Sequence, residues 1–373
     1  MDVQTRLAEL AKLPPADPPV VSVYLNTRWA DEEQRERVRI FLKNHLRAAR
    51  TASAGRPADE DLDWIYAQGR SLVAGDALPD ASGVAMFAGN GLREILPLRT
   101  AFEDAFVVNS TPYLRPLAGA VEETVPSLIV FVDGTRARLL ALGPQGPGEE
   151  VTLGAAVEGR HATGGWAALA QSRFQRHIEE HRGRHYEATA RAVGSLAASH
   201  GVQQIVLSGE DRAVVLFQDH LPADLARRVV GVVPGAGHEP MATIARRAAD
   251  YLARKEEQDD GVRVDRLLDA AAKGGRAVAG VEPTLEAVNR NAVQELYLLP
   301  EFERAGAICD RCATLQPAAG GGCRFCEGTL HATELGEAMV GRVLASGGSI
   351  GVVQGHAGLA AREGVGAILR YAA

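Results

Sequence analysis

Apolar positions recur along this chain with two periods, one near 3.6 and one of 2, and the switches between them mark its elements. Residues 1–10 carry a polar-apolar helical pattern that Pro18-Pro19 ends. Val20-Val21-Ser22-Val23-Tyr24-Leu25, β-branched and aromatic, predicts a strand. Val38, Leu42 and Leu46 at four-residue spacing predict an amphipathic helix over 31–50, and Leu62, Ile65 and Leu72 a second over 59–74. Strands are then predicted at 83–88, 92–98 and 106–108. Strands alternating with helices indicate an α/β layer domain over residues 1–120.

The same alternation continues over residues 121–260. Two apolar runs at 127–132 and 136–143 flank Asp133-Gly134, a tight-turn signal, and predict a hairpin. A long run without proline predicts a helix from Ala167 to about His200, and 204–209 a buried strand. A helix entered through Pro222, a return to the sheet at 230–233 and a helix over 239–258 complete this domain. Glu256-Glu257-Gln258-Asp259-Asp260-Gly261 is expected to act as a polar hinge before a C-terminal α/β domain over 261–373. There, helices are predicted at 262–272, 285–290 and 334–345, and strands at 295–299, 349–353 and 366–371. The expected fold is α/β, with three domains of mixed-sheet layers and a zinc ribbon over 307–328 inserted in the last.

At 373 residues the chain exceeds one ordinary core, which agrees with several domains. Its 46% apolar and 23% charged content describes a globular protein with no stretch of membrane-spanning length, and its start lacks the pattern of a signal peptide. A cytoplasmic location and no membrane partner are therefore expected. All four cysteines lie between 309 and 326, which argues against a secreted disulfide framework.

Cys309-x-x-Cys312 and Cys323-x-x-Cys326 carry the strongest chemical signal. Two such turns place four thiolates around one tetrahedral ion and leave no open position, so structural Zn2+ is expected at Cys309, Cys312, Cys323 and Cys326. A redox pair or an iron-sulfur cluster remains compatible with the spacing.

Charge changes the picture at the start of the long helix. The formal net charge is -7, yet between Arg160 and His185 five arginines (Arg160, Arg173, Arg176, Arg182, Arg184) face two acids (Glu179, Glu180). A basic stretch on an acidic protein suits a polyanion, because neutralised phosphates release counterions. Gly164-Gly165-Trp166 precedes that helix as the tip of an extended loop on a rigid stem. His177-Ile178-Glu179-Glu180-His181 also matches the His-x-x-Glu-His string of one class of zinc peptidases, although no third ligand is evident.

The order Gly164-Gly165, basic helix, Ser172-Arg173-Phe174 and His185-Tyr186 resembles the middle domain of archaeal and eukaryotic peptide-chain release factors. The superfamily includes the rescue factor pelota and the bacterial factor Balon. The Ser208-Gly209 turn, the Leu221-Pro222 entry, and the C-terminal strings 280–288, 292–299 and 366–371 extend the resemblance. In the family, a Gly-Gly-Gln loop helps place the water that cleaves peptidyl-tRNA, and an Asn-Ile-Lys-Ser loop reads stop codons. Here Trp166 stands at the glutamine position and the decoding string is missing. An indole offers one N–H and no carbonyl acceptor, but it stacks on bases.

The resemblance therefore implies a factor that binds the ribosomal A site in hibernation, stress or rescue, without hydrolysis and with no catalytic residue assigned. Implied partners are ribosomal RNA, with tRNA as a further contact, and an elongation-factor-type GTPase. The alternatives are a peptidyl-tRNA hydrolase using another group and a metal-dependent hydrolase on His177 and His181.

Overall fold

The computed structural model describes residues 3–29, 32–52, 56–75, 78, 81–98, 100–122, 125–143, 146–154, 167–317 and 322–371. They form two compact units, Met1–Glu123 with Glu256–Ala373, and Thr124–Lys255.

The N-terminal part of the first unit runs α1 (Val3–Leu10), β1 (Val20–Asn26), α2 (Glu32–Thr51), α3 (Asp59–Ala74), β2 (Gly83–Gly89), β3 (Leu92–Leu98), β4 (Ala105–Asn109) and α4 (Arg115–Glu122). Its antiparallel sheet has the order β3-β2-β1-β4. Alternation along β1 sorts its side chains by face: Val21, Val23 and Leu25 pack on α2 and α3, and Tyr24 turns to the other side. Gly75, with φ of 82°, ends α3 in the left-handed region that suits glycine.

The second unit holds β5 (Ser127–Val132), β6 (Arg136–Gly143), β7 (Gly146–Pro147), β8 (Val151–Gly154), α5 (Ala167–Ser199), β9 (Gln204–Gly209), α6 (Asp211–Gln218), α7 (Ala223–Ala226), β10 (Val229–Val233) and the start of α8 (Met241–Ala272). The sheet order is β10-β9-β5-β6-β7, with β8 also on β6. Strands β5, β9 and β10 are parallel. One face packs on α5 and α6 through Leu128, Val130, Tyr186, Val193 and Phe217, and the other on α8 through Ile129, Phe131, Val206 and Ile244. The expected hairpin is present, and the Asp133 side chain caps its turn by accepting from the Thr135 and Arg136 backbone N–H groups.

Helix α8 runs through residues 256–261, where a hinge was expected. Glu, Gln and Asp are compatible with a helix, and Asp260 lies largely buried in a 2.8 Å bond with Arg263, one turn on.

The C-terminal part continues with β11 (Ala277–Ala279), α9 (Val281–Asn289), β12 (Val293–Leu298), β13 (Ala305–Cys309), β14 (Leu315–Pro317), β15 (Leu330–Glu334), α10 (Leu335–Ala345), β16 (Ser349–Val352), α11 (Ala357–Ala360) and β17 (Val365–Leu369). One sheet has the order β11-β17-β12-β16, and a small one the order β14-β13-β15. The larger sheet buries Leu296 and Leu298 against α9 and α10, and Tyr297 against Val264, Leu267 and Leu359.

The chain holds three large sheets, in residues 20–109, 127–233 and 277–369, and the first and third share one core. Leu7, Phe87, Leu98, Leu114 and Leu117 pack in one cluster with Leu285, Leu296, Leu335, Met339 and Ile350. The buried Arg115 guanidinium donates to the carbonyls of Leu299, Pro300 and Phe302. Among the described residues, no helix is long and apolar enough to cross a membrane.

Candidate functional site

The four cysteines sit on two turns with the same backbone pattern. In the first, Ala313 N–H donates to Cys309 O (3.0 Å) and Cys309 N–H to Thr314 O (3.0 Å). In the second, Glu327 N–H donates to Cys323 O (3.1 Å) and Cys323 N–H to Gly328 O (3.0 Å). The residue after each second cysteine is left-handed, Ala313 at φ 55° and Glu327 at φ 59°. These repeats bring all four sulfurs within 4.8 Å of one another.

Cys309 and Cys326 Sγ are 3.4 Å apart, and Cys312 and Cys323 Sγ 3.5 Å. A disulfide requires about 2.0 Å, whereas four sulfurs on one tetrahedral zinc stand about 3.8 Å apart. The set could therefore hold one metal ion. Gly328 is required by close approach: a Cβ there would stand 2.9 Å from Cys309 Sγ and 2.8 Å from Asp310 Oδ1.

Proton chemistry agrees with a site that favours a cation. Hydrogen bonding to Thr314, then to the neighbouring sulfurs, draws Cys312 down to about 6. At Cys326 the Gly328 backbone contact lowers the pKa, but bonds with Cys312 and Cys309 outweigh it and push the thiol up to about 12. The first thiolate is stabilised by its neighbours' S–H groups and the later ones are opposed by its charge. A metal ion removes that opposition. Among the described residues, this is the one group of three or more potential ligand side chains close enough to share an ion.

The second predicted feature is the loop and basic stem. Arg160, Gly164, Gly165 and Trp166, and the side chains of Arg173, Arg176 and His177, lie outside the described residues. The remainder of α5 divides into two faces. Tyr186, Ala190, Val193 and Ala197 enter the core, and Arg184 and Glu187 are exposed. Arg182 lies on the inner side, where a Cβ on Gly134 would stand 3.0 Å from its Nε. That Nε is buried without a hydrogen-bond partner among the described residues.

His185, one turn after His181, is buried with its ring 5.9 Å from that of Tyr186. Burial lowers its pKa, while the Arg136 carbonyl and the Asp133 charge act the other way. The cause of the inward turn is the adjacent Tyr186, whose ring packs on Phe217 and His220 and fixes the rotation of the helix.

Three features were not legible from sequence. Phe325, between Cys323 and Cys326, is 74% exposed. Arg115 and Glu337 lie buried where the N- and C-terminal parts of the first unit meet, with the Leu114 N–H on Glu337. Sequence reasoning treats charged residues as surface residues. The only available signal was their place in otherwise apolar stretches.

Residues 112–252 match the family model of bacterial archaeo-eukaryotic release factor family 10. No curated protein matches the chain. Among solved structures, it is similar to the archaeal translation termination factor aRF1, at 16% identity, 99% of this chain, 97% of that one and a TM-score of 0.27. Archaeoglobus fulgidus Pelota matches at 18% identity, 77% and 79% coverage and a TM-score of 0.36. S. cerevisiae Dom34, a translation termination-like factor, matches at 13% identity, 77% and 74% coverage and a TM-score of 0.42. At such identities and scores these likenesses add no weight to the family match. That match spans the second unit and brackets both the Gly164-Gly165-Trp166 string and the basic stem. Residues 112–252 of this chain are thus similar to the bacterial archaeo-eukaryotic release factors.

Proposed function

We propose that this protein is a ribosome-associated translation factor that enters the A site in hibernation, stress or rescue and does not hydrolyse peptidyl-tRNA. The observation that carries the reading is the family match over 112–252; by the resemblance to archaeal and eukaryotic release factors, Trp166 stands where their loop has its glutamine. Ester cleavage needs a polar group that orients the attacking water and donors for the oxyanion. An indole supplies one donor and no acceptor, so it is suited to stacking on a base. Arg160, Arg173, Arg176 and Arg184 supply phosphate contacts in this reading, and the exposed Arg184 is the best placed of those described; Arg182, packed against the Gly134 turn, is not one of them. The four cysteines hold structural zinc, which shapes the small sheet and takes no part in chemistry. An elongation-factor-type GTPase delivers the protein, which acts in the cytoplasm.

Replacing Trp166 tests this reading. Trp166→Gln recreates the family string and is expected to gain peptide release on ribosomes loaded with peptidyl-tRNA, from a wild-type protein that binds and releases nothing. Release by the wild-type protein would overturn the non-hydrolytic reading.

A further inference from the structure

We propose that the Cys323–Cys326 turn presents Phe325 as a stacking platform for an unpaired RNA nucleotide, with Arg311 and Arg324 contacting the flanking phosphates. The choice of RNA rests on the ribosome reading, whereas the surface itself is read from the structure.

Phe325 is the most exposed large apolar side chain among the described residues, at 74%. Its position is held by the turn beneath it. Phe325 N–H points to Cys323 Sγ (3.5 Å), Arg324 N–H donates to the side chain of the buried Gln316 (3.2 Å), and Gly328 closes the turn under Cys323. The backbone under the ring is held in place, so binding has to order only the two side-chain torsions of Phe325.

The charges around the ring identify its partner. Arg324 precedes it, and Arg311 of the opposite turn reaches across to the Cys326 carbonyl (3.4 Å). Neither guanidinium pairs with a carboxylate among the described residues. Beneath them, the half-buried Arg342 donates to Ala313 O (2.6 Å). Three arginines thus face two acids, Asp310 and Glu327, on a chain of net charge -7. Asp310 and Glu327 are themselves exposed, and Asp310 Oδ1 lies 3.9 Å from Cys309 Sγ. An apolar protein pocket would accept the ring but has no use for two unpaired guanidinium groups, whereas a nucleotide uses both features.

The test is fluorescence anisotropy of a short fluorescein-labelled oligouridine with full-length, metal-loaded protein across a salt series, with metal content measured for each variant. Phe325→Ala is expected to weaken binding about tenfold, within the range of base–aromatic stacking. Phe325→Trp should retain affinity and Phe325→Leu should not. Arg311→Glu and Arg324→Glu should each flatten the salt dependence by about one released counterion. Leu and Trp both keep an apolar side chain on the turn, so their difference reports stacking even where Ala disturbs the site. Equal binding by the Leu variant, unchanged binding by the Ala variant, or no binding by wild type would overturn the proposal. Ribosome pelleting is scored separately: pelleting unaffected by Phe325 sinks this inference alone, and Phe325-dependent oligonucleotide binding without pelleting sinks the ribosome reading alone.

Discussion

The Leu114 backbone N–H donates to the Glu337 carboxylate across 2.7 Å, joining residues 223 positions apart in a buried contact. Among the described residues, Glu337 Oε2 has no hydrogen-bond partner. Burial raises its pKa to about 7, with Glu334 adding to the shift and Leu114 and Arg115 opposing it. The same carboxyl acts on the neighbouring phenols, since burial first and Glu337 second raise Tyr24 and Tyr113. The meeting of the first and last segments is therefore built around a carboxyl that titrates near neutrality and not near its ordinary value.

A pH dependence follows from this shift. The folded state binds the proton more tightly than the unfolded state, so stability falls as pH rises from about 4.5 to about 7. The loss attributable to this group is about 3 kcal/mol, from 1.36 kcal/mol per unit. Glu337→Gln is expected to remove that part of the pH dependence and to be more stable than wild type above pH 7. Thermal unfolding of both proteins across this pH range is the check, and parallel curves would contradict the assignment.

Arg115 supplies the other half of the contact. Arg115→Ala leaves three carbonyls without their charged donor and is expected to cost about 3 kcal/mol or more. Arg115→Lys should recover only part of this, because an ammonium lacks the planar fork. Urea unfolding would report the change as a lower midpoint.

How much of this was readable in advance depended on the range of the interaction. The 127–143 hairpin was legible because its turn and both apolar runs lie within one window. Helix α6 falls in a stretch where the sequence pattern predicts no element, since β-branched Val214-Val215 weakens a helical signal, and its helical state is set by burying Ala213, Val214 and Phe217 on one side. The cysteine site was legible from spacing alone, since each turn is local. Arg115 and Glu337 were not, because the partners of each lie more than 180 residues away.

Metal removal should act locally. Cys323→Ser or a strong chelator is expected to release one zinc per chain and to melt β13 to β15 while the second unit stays folded. Gly328→Ala should weaken metal binding about tenfold, by forcing a methyl group toward Cys309 Sγ. Metal analysis with hydrogen exchange checks both, and full retention of metal in the serine variant would refute the site.

The two faces of α5 predict opposite phenotypes for neighbouring arginines. Arg184→Glu should weaken RNA binding and reduce the salt slope by about one, with stability unchanged. Arg182→Ala should mainly alter stability, since its guanidinium packs against the Gly134 turn. Paired binding and unfolding measurements separate the two effects.

The central claim is tested most directly by co-sedimenting the purified protein with vacant and with peptidyl-tRNA-loaded ribosomes across a salt series, assaying peptide release in the same tubes. Salt-sensitive pelleting without release is the predicted result. Release, or no pelleting at low salt, would contradict it.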